Sequence, residues 1–369
     1  MQKVRASAPY LVDLLPYDPK YLPARVYLNA NESPYGLPKS VLDALLASVG
    51  EQMLHRYPDP LAKSLRADIA AEHRLDENRV LLGNGGDELL FDIMLAYGGV
   101  GRKLLTAPPS FSSYELDARL TGTTIVEVER ERQFCEGPFA NAVMGIDEKR
   151  ILDRVGQGDI DVVMLASPNN PTGDALSEDF VCALLDASDA LVLIDQAYLE
   201  FADGRFDMRR HVDEHTNLVI LRTFSKAYAL AGIRLGYLLA SAEVVGELCK
   251  VRQPYSVDVF AALAGKAVLG DLEAFEQQIA ESIAERNRVA RSLNNMPGLT
   301  VFESEANFIL VQLAQAHEVW LRLYEDDGIL LRDFSEAPYL GDCLRLGIGT
   351  PQENDDFLAA FERYLGGRA

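Results

Sequence analysis

Five short runs rich in valine, isoleucine and leucine recur along the chain, and each leads into a turn and a helical pattern. Their apolar residues do not alternate strictly with polar ones, which is typical of strands covered on both faces in a mainly parallel sheet. Because these strands alternate with helices, the sequence predicts an α/β fold with right-handed crossovers. The runs lie in the segments 79–97, 103–120, 161–173, 190–201 and 217–228.

The pattern changes near residue 271, where one amphipathic helix is predicted over 271–293. Two strand-like runs follow it, NFILVQL and LRLGIGT, and the helical segment AHEVWLRLYEDDG separates them. We therefore expect a large domain over 33–270, with a mainly parallel sheet flanked by helices, and a smaller α+β domain over 271–369. Residues 1–32 are expected to form an N-terminal arm that associates with the smaller domain.

The composition argues against several classes of partner. A formal net charge of −21 over 369 residues does not suit binding to nucleic acid or to an anionic membrane, since both need basic protein surfaces. No apolar run approaches the roughly 20 residues of a membrane-spanning helix, and the N-terminus makes a poor signal peptide. The four cysteines form no CxxC pair, so free thiols in a reducing cytoplasm are expected.

Ligands of open α/β sheets bind beyond the carboxyl ends of the strands. One candidate there is GNGGDELL (83–90), in which glycines and the first turn of a helix would expose amides that bind phosphate. The alternative is a glycine turn with Asp87 as the helix N-cap. The sequence contains neither GxxxxGK[ST] nor GxGxxG, which argues against a Walker-type NTPase and against a nicotinamide-dependent dehydrogenase.

Two further polar segments follow predicted strands. Asp195 ends the run LVLID, and a carboxylate at the end of a buried strand needs a cation or several hydrogen-bond donors. It is either a helix N-cap or the acceptor for a protonated ring nitrogen, as in pyridoxal phosphate enzymes. The asparagines of SPNNPTG (167–173) place amide donors where a ligand would lie, although such residues also form turns without any function.

Lys226 lies in TFSKAYALAGIRLGY (223–237), between hydroxyl-bearing and small apolar residues, with Arg234 downstream. An amine that attacks a carbonyl must be neutral part of the time, and burial among apolar side chains lowers the pKa of such an amine. The alternative is a lysine that caps a helix or pairs with a carboxylate. The setting favours a nucleophilic lysine.

The segment HVDEH (211–215) places two histidines four residues apart, as zinc sites often do. It is not an HExxH motif, and no carboxylate pattern downstream completes a site. We therefore expect no metal ion in this protein.

Nine sequence blocks, in this order and spacing, resemble the fold-type I pyridoxal phosphate aminotransferases, and most closely the histidinol-phosphate aminotransferases. The resemblance covers nearly the whole chain. It implies a cytoplasmic homodimer that uses pyridoxal 5′-phosphate to transfer the amino group of histidinol phosphate to 2-oxoglutarate in histidine biosynthesis. The blocks are LPY (15–17), YLNANESPYG (27–36), RYPDP (56–60), GNGGDE (83–88), PPSF (108–111), SPNNPTG (167–173), DQAYLEF (195–201), LRTFSKAYALAGIRLGY (221–237) and LRLGIGT (344–350).

The resemblance also implies which residues surround the cofactor ring. Lys226 matches the lysine that bonds covalently to the cofactor, and Asp195 matches the carboxylate that keeps the pyridine nitrogen protonated. Asn170 and Tyr198 match the groups that hydrogen-bond the phenolic oxygen of the ring, and Phe111 matches the aromatic residue that stacks on it. Of these, Lys226, Asp195 and Tyr198 are the expected catalytic residues.

The cofactor phosphate is expected to lie on the backbone amides of Gly86 and Asp87. The residues Thr223, Ser225 and Arg234 are expected to surround it. The resemblance implies these residue assignments, and the glycine-rich helix start of 83–90 agrees with them.

The resemblance assigns the remaining contacts to the neighbouring subunit and to the substrate. Tyr57 matches a tyrosine that reaches the cofactor phosphate from the other subunit of a homodimer. Arg345 matches the arginine that holds the substrate α-carboxylate, a bidentate task suited to guanidinium, and Asn170 is also expected to contact the substrate. Tyr17 and Arg332 match positions associated with the substrate phosphate.

Several alternatives stay open at this point. Related enzymes share much of the pattern, so an aromatic amino-acid aminotransferase or a pyridoxal phosphate-dependent decarboxylase of a phosphorylated amino acid would fit as well. Arg332 could instead form a salt bridge with Asp333 or Glu336. Gln196 stands where the family often has glutamate, at a position not expected to touch the ring. A transcription regulator with an aminotransferase-like domain is disfavoured, because it needs a basic DNA-binding module.

Overall fold

The structure, a computed structural model, describes residues 14, 22–50, 53–202, 204 and 206–366. Its strands are β1 (Val26–Leu28), β2 (Val80–Gly83), β3 (Lys103–Thr106), β4 (Thr124–Glu127), β5 (Glu131–Phe134), β6 (Ala142–Gly145), β7 (Val162–Ala166), β8 (Leu191–Asp195), β9 (Leu218–Thr223), β10 (Gly236–Ala240), β11 (Thr300–Val301), β12 (Phe308–Gln312), β13 (Ile329–Asp333) and β14 (Cys343–Gly347). Its helices are α1 (Lys39–Ser48), α2 (Lys63–His73), α3 (Gly85–Tyr97), α4 (Ser112–Thr121), α5 (Glu148–Val155), α6 (Glu178–Asp186), α7 (Ala242–Val251), α8 (Val259–Leu269), α9 (Glu276–Asn294), α10 (Ala316–Glu325) and α11 (Pro351–Gly366). None of the helices within those ranges is long and apolar enough to cross a membrane.

Seven strands form the larger sheet, in the order β2-β10-β9-β8-β7-β3-β4. Strands β4, β3, β7, β8 and β9 pair in parallel, whereas β10 is antiparallel to both β2 and β9. The predicted α/β fold with a mainly parallel sheet is therefore confirmed. The reversal of β10 is not predictable from its apolar run, because such a run specifies burial but not direction.

Both faces of the larger sheet are covered, which explains its unbroken apolar runs. Alternate side chains of a strand point to opposite faces. Val192 and Ile194 of β8 therefore lie in a core shared with α2, α6 and α8, whereas Leu191 and Leu193 lie in a core shared with α3, α4 and α7. Burial of each such side chain contributes about 1.5–3 kcal/mol to folding. These two cores hold the carboxyl ends of the strands at one edge of the sheet.

A second sheet contains five strands in the order β1-β13-β14-β12-β11, and α9, α10 and α11 supply most of the helical part of its core. Strand β1 pairs with β13 in parallel, so an early segment of the chain completes a sheet built mainly from the C-terminal part. The division into an arm (1–32), a large domain (33–270) and a small domain (271–369) stays a prediction.

The helix predicted over 271–293 begins later than expected. A 3₁₀ turn over Leu272–Phe275 precedes α9, which runs from Glu276 to Asn294. Phe275 is fully buried in the core of the larger sheet. The tighter turn therefore packs this ring into the core of the larger sheet before the α-helix begins.

Candidate active site

A cavity of about 280 Å³ opens at the carboxyl ends of β7, β8 and β9, and it extends to the start of α3. The segment Asn29–Asn31, which follows β1, and residues of β13 and β14 close it from the side of the second sheet. The cavity brings together most of the residues that the sequence singles out. These are Gly86, Asp87, Phe111, Asn170, Asp195, Tyr198, Thr223, Ser225, Lys226, Arg234, Arg332 and Arg345.

One end of the cavity is formed by the start of α3, opposite Arg234. Helix α3 begins at Gly85 and its N-cap residue is Asn84, so the alternative in which Asp87 caps the helix is wrong. Asp87 lies in the first turn, and its carboxylate accepts a hydrogen bond of 2.9 Å from Nη2 of Arg234. Gly85 has φ +81°, and a Cβ at this position would lie 2.5 Å from Nη2 of Arg234. Only glycine lets the helix start and the guanidinium approach so closely.

The hydroxyl groups of Thr223 and Ser225 lie at the same end, where β9 runs into the loop before Lys226. Oγ1 of Thr223 accepts a hydrogen bond of 3.1 Å from the amide of Ser225, which fixes the turn. We call Gly86, Asp87, Thr223, Ser225 and Arg234 the anion cradle. The unpaired amides of a helix N-terminus, a guanidinium and two hydroxyls are groups that bind phosphate.

Asp195 lies at the end of β8 and is buried. Its Oδ2 accepts a hydrogen bond of 2.8 Å from the hydroxyl of Tyr114, and its Oδ1 accepts one of 3.0 Å from the amide of Ala197. Burial raises the pKa of this carboxyl to about 6, although both hydrogen bonds and nearby Lys226 oppose the rise. The alternative in which Asp195 caps a helix is wrong, because the next helical turn, Leu199–Phe201, has Tyr198 as its N-cap residue. The burial of Asp195 leaves it suited to a ligand that brings a cationic N–H group.

Sequence reasoning missed Tyr114, whose side chain is buried in α4. The signal for it is its spacing of three residues from Phe111, because residues three apart on a helical turn lie on the same side. The two rings are edge to face, with their centroids 5.8 Å apart. Phe111 lines the cavity, so a planar ligand ring that stacks on it would also lie near the carboxylate that Tyr114 holds.

Lys226 lies half-buried between the buried residues Phe224 and Ala227. Its Nζ donates a hydrogen bond of 3.0 Å to the carbonyl oxygen of Ala30 and lies 5.8 Å from the ring centroid of Tyr198. The sequence predicts a lysine packed among apolar groups, but only its flanking residues are enclosed. The amine itself faces the cavity, where a ligand can reach it.

Two asparagines fix the groups around Lys226. Nδ2 of Asn31, a buried residue with φ +53°, donates a hydrogen bond of 3.1 Å to the hydroxyl of Tyr198. Sequence reasoning did not single out Asn31, although it lies in the block YLNANESPYG. Oδ1 of Asn170 accepts a hydrogen bond from Nη1 of Arg345. The two contacts link the large sheet to residues of the second sheet and of the loop after β1.

Arg332 and Arg345 occupy opposite positions on the antiparallel strands β13 and β14. Directly paired residues point to the same face of a sheet, so both guanidinium groups reach the cavity. Nη2 of Arg345 donates a hydrogen bond of 2.7 Å to the carbonyl oxygen of Asn29. Asp333, one of the salt-bridge partners considered for Arg332, is engaged by Nδ1 of His317 at 2.7 Å. The pair of arginines makes this end of the cavity suited to an anion.

The structure does not bring Tyr57 into the cavity of its own chain. The residue is 83% exposed, and its ring stacks on that of Tyr255 with a centroid distance of 4.8 Å. Its expected contact with a neighbouring subunit stays a prediction. Tyr17 lies outside the described residues.

Comparison with known proteins agrees with this geometry. A family model for aminotransferase class I and II matches residues 24–361. Histidinol-phosphate aminotransferase 1 of Carboxydothermus hydrogenoformans is 39% identical over 360 residues, which is 97% of this chain and 98% of that protein. The Desulfitobacterium hafniense histidinol-phosphate aminotransferase is 33% identical over 362 residues, 97% of this chain and 96% of that protein.

Two solved structures of histidinol-phosphate aminotransferases have a fold similar to that of this chain. The histidinol-phosphate aminotransferase of Sinorhizobium meliloti in complex with pyridoxal-5′-phosphate superposes with a TM-score of 0.87 at 25% identity, and covers 100% of this chain and 99% of that one. The Clostridium acetobutylicum histidinol-phosphate aminotransferase has a TM-score of 0.81 at 25% identity, and covers 93% of this chain and 99% of that one. The enzyme class expected from the sequence is confirmed, and the chain belongs to the class I and II aminotransferase family.

Proposed function

We propose that this aminotransferase binds pyridoxal 5′-phosphate and converts histidinol phosphate and 2-oxoglutarate to imidazole acetol phosphate and glutamate. The relatives at 33–39% identity that carry the name histidinol-phosphate aminotransferase support this reaction. In this proposal the amino group leaves the donor, whose carbon becomes a ketone, and the acceptor ketone becomes an amine. The reaction needs no outside oxidant, because the two substrates exchange oxidation states.

The residues of the cavity fit pyridoxal phosphate. The anion cradle suits its phosphate, and the ring of Phe111 offers a flat apolar surface for its ring. Asp195 is a buried carboxylate with a raised pKa of about 6, so the protonated pyridine nitrogen would supply the cation that its charged form lacks. When bound, the cofactor supplies an electron-withdrawing ring that stabilises negative charge at the α-carbon of the substrate.

The residues around the cofactor ring would each have a separate role in the reaction. Asp195 would hold the pyridine nitrogen protonated, with Tyr114 and Ala197 fixing the carboxylate. Tyr198 and Asn170 would donate hydrogen bonds to the phenolic oxygen. The amine of Lys226 would anchor the cofactor covalently and, once released, move the proton at the α-carbon of the substrate.

Arg332 lies opposite Arg345 on neighbouring strands, and both line the cavity. This is the observation that supports histidinol phosphate as the substrate. Histidinol phosphate has no α-carboxylate, and its phosphate is its one anionic group, so both guanidinium groups would converge on that dianion. With 2-oxoglutarate, Arg345 would instead hold the α-carboxylate. Charge-assisted contacts of this kind contribute about 1.5–3 kcal/mol each.

We expect a preference of roughly ten- to hundred-fold in kcat/KM for histidinol phosphate over phenylalanine. Arg332→Ala should remove most of this preference, because phenylalanine needs only the contact of Arg345 with its carboxylate. The measurement is the rate of the first half-reaction, followed by cofactor absorbance with histidinol phosphate, phenylalanine, tyrosine and threonine phosphate. Arg322→Ala, which changes an exposed arginine of α10, is the matched control and should leave the ranking unchanged.

Each alternative has its own signature in this experiment. Equal losses on both donors in Arg332→Ala would make Arg332 a structural residue. A wild-type preference for phenylalanine would indicate an aromatic amino-acid aminotransferase. Release of carbon dioxide from threonine phosphate would indicate a decarboxylase, the activity named for a Porphyromonas gingivalis structure with a TM-score of 0.80 at 25% identity.

We also propose that the enzyme works as a cytoplasmic homodimer. The exposed ring of Tyr57 supports an intersubunit role, because the residue lies beside Tyr255 on the surface and outside the cavity of its own chain. In the dimer, its hydroxyl would contact the cofactor phosphate of the neighbouring subunit.

A further inference from the structure

His211, Glu214 and His215 lie together in the connection between β8 and β9. One ligand atom from each of them, an imidazole nitrogen or a carboxylate oxygen, lies within 4.8 Å of the other two. The amide of His215 donates a hydrogen bond of 3.1 Å to the carbonyl oxygen of His211, so one helical turn places the two imidazoles on the same side. The side chains of both histidines are largely shielded, with 14% and 17% of their surface exposed.

Helix α6 faces this turn with three further groups that can bind a metal. Glu178, Cys182 and Asp186 are spaced four residues apart, so they lie along one face of the helix. Sγ of Cys182 lies 3.9 Å from both ring nitrogens of His211. Oδ1 of Asp186 lies 3.7 Å from Nδ1 of His215. The sequence predicts no metal here because it shows only HVDEH, whereas folding adds the groups of α6, which precede it in the chain.

We propose that His211, Glu214, His215 and Cys182 bind one zinc ion. Zinc takes nitrogen and carboxylate ligands at about 2.0–2.2 Å and thiolate at about 2.3 Å in tetrahedral geometry, which places donors about 3.3–3.6 Å apart. Ligand atoms of the histidine–glutamate group lie within 4.8 Å of one another, and Sγ of Cys182 lies 3.9 Å from His211, so on zinc binding the side chain of Cys182 would turn towards Glu214 and His215. The ligand set of nitrogen, thiolate and carboxylate suits zinc rather than magnesium or calcium.

Glu178 defines which nitrogen of His211 would bind the ion. Its Oε1 lies 2.7 Å from Nε2 of His211, and its other oxygen accepts a hydrogen bond from Arg210, whose Nε lies 3.3 Å from the same Nε2. A metal-bound histidine commonly donates its second N–H to a carboxylate. Nδ1 is then left for the metal, and this atom already faces Oε2 of Glu214 at 3.2 Å.

The charges around Cys182 favour a dication. The carboxylates of Asp186, Asp179 and Glu214 lie near its thiol. These negative groups attract a divalent cation, which would bind the sulfur as a thiolate and displace the thiol proton to solvent. Because the ligands come from two separate elements, the bound ion would cross-link α6 to the connection between β8 and β9.

The test is a competition titration of the purified holoenzyme with Zn²⁺ against a chromophoric chelator. We expect one high-affinity zinc ion per chain in the wild type. His215→Ala and Glu214→Gln should each weaken its binding at least about tenfold, since loss of even an outer-shell partner costs 10–100-fold. Glu214 is exposed, so its replacement does not threaten folding.

His317→Ala is the matched control, because His317 also pairs with a carboxylate, Asp333, but lies in the second sheet region and outside this cluster. Zinc affinity should be unchanged in this variant. Zinc that binds His215→Ala as tightly as the wild type, or a wild type without a high-affinity ion, would overturn the proposal. Any zinc held by the bound cofactor would be common to all variants and cancels in the comparison.

Cobalt(II) tests the fourth ligand separately. The Co²⁺-substituted wild type should show a thiolate charge-transfer band that Cys182→Ser removes and Cys249→Ser, at an exposed cysteine, retains. A band that survives Cys182→Ser, or one that is absent from the wild type, would remove Cys182 from the ligand set.

Discussion

The environment of Asp195 shows what a sequence can and cannot specify for a single residue. Its place at the end of a buried strand, and hence beside a ligand, follows from the run LVLID. Its hydrogen bond from Tyr114 joins residues 81 positions apart and depends on how α4 packs on the sheet. Its raised pKa is likewise a product of burial by residues from several elements, which no local pattern encodes.

Asp195→Asn should stabilise the cofactor-free protein at neutral and higher pH. The pKa of Asp195 rises from 3.8 in the unfolded chain to about 6 in the folded protein, so folding favours its protonated form. The ionised carboxylate therefore destabilises the fold above about pH 6, and this cost disappears as the pH falls towards about 4. A shift of this size corresponds to about 3 kcal/mol.

The measurement is the free energy of unfolding in denaturant for the cofactor-free wild type and variant. At pH 8 the variant should be the more stable by up to about 3 kcal/mol, and near pH 4 the two should be equal. The amide can still accept from Ala197 and donate to the oxygen of Tyr114, so both contacts persist. A difference that does not change with pH would show that the charge of Asp195 is not its cause.

At the scale of the elements, local patterns predict most strands and helices but not their pairing. GNGGDELL predicts the succession of β2, a turn and α3, and the helix indeed follows, beginning at Gly85. The direction of β10 and the pairing of β1 with β13 depend on segments far apart in the chain. The opposition of Arg332 and Arg345 depends in the same way on the register of β13 and β14.

Gly85→Ala should weaken cofactor binding more than it weakens the fold. Alanine at φ +81° costs about 1–2 kcal/mol, and its Cβ would lie 2.5 Å from Nη2 of Arg234 and displace the guanidinium. Loss of a charge-assisted contact worth about 1.5–3 kcal/mol would lower the affinity for pyridoxal phosphate roughly ten- to hundred-fold. Cofactor affinity is measured by fluorescence titration of the apoprotein.

Gly101→Ala provides the matched control, because Gly101 has φ +86° and no heavy atom within 4 Å of its Cβ position. Both variants should lose similar unfolding free energy, but Gly101→Ala should keep the wild-type affinity for the cofactor. Equal cofactor affinities in the two variants would mean that Arg234 does not depend on the space left by Gly85.

At the scale of the whole molecule, the order of the strand ends predicts where the cavity lies, since polar residues at the carboxyl ends of parallel strands meet at one edge. The closure of the cavity by Asn29–Asn31 and by β13 and β14 is not predictable from these patterns. It depends on the packing of the second sheet against the first. The role proposed for Tyr57 is also not predictable from these patterns, because it depends on a second copy of the chain.

A dimer with shared active sites should allow an inactive variant and an impaired one to restore activity together. Lys226→Ala removes the anchoring amine, and Tyr57→Phe removes the hydroxyl expected to reach the neighbouring cofactor phosphate. In a two-fold hybrid, one site would carry both lesions and the other neither.

Random association of equal amounts of the two chains makes half of the dimers hybrids, so about a quarter of all sites would be intact. We therefore expect activity clearly above the average of the two parent homodimers, measured on co-expressed chains with different affinity tags. If Tyr57 acted within its own subunit, each hybrid site would carry one lesion and no activity would be gained; an active monomer in sedimentation at assay concentration would also contradict the shared site.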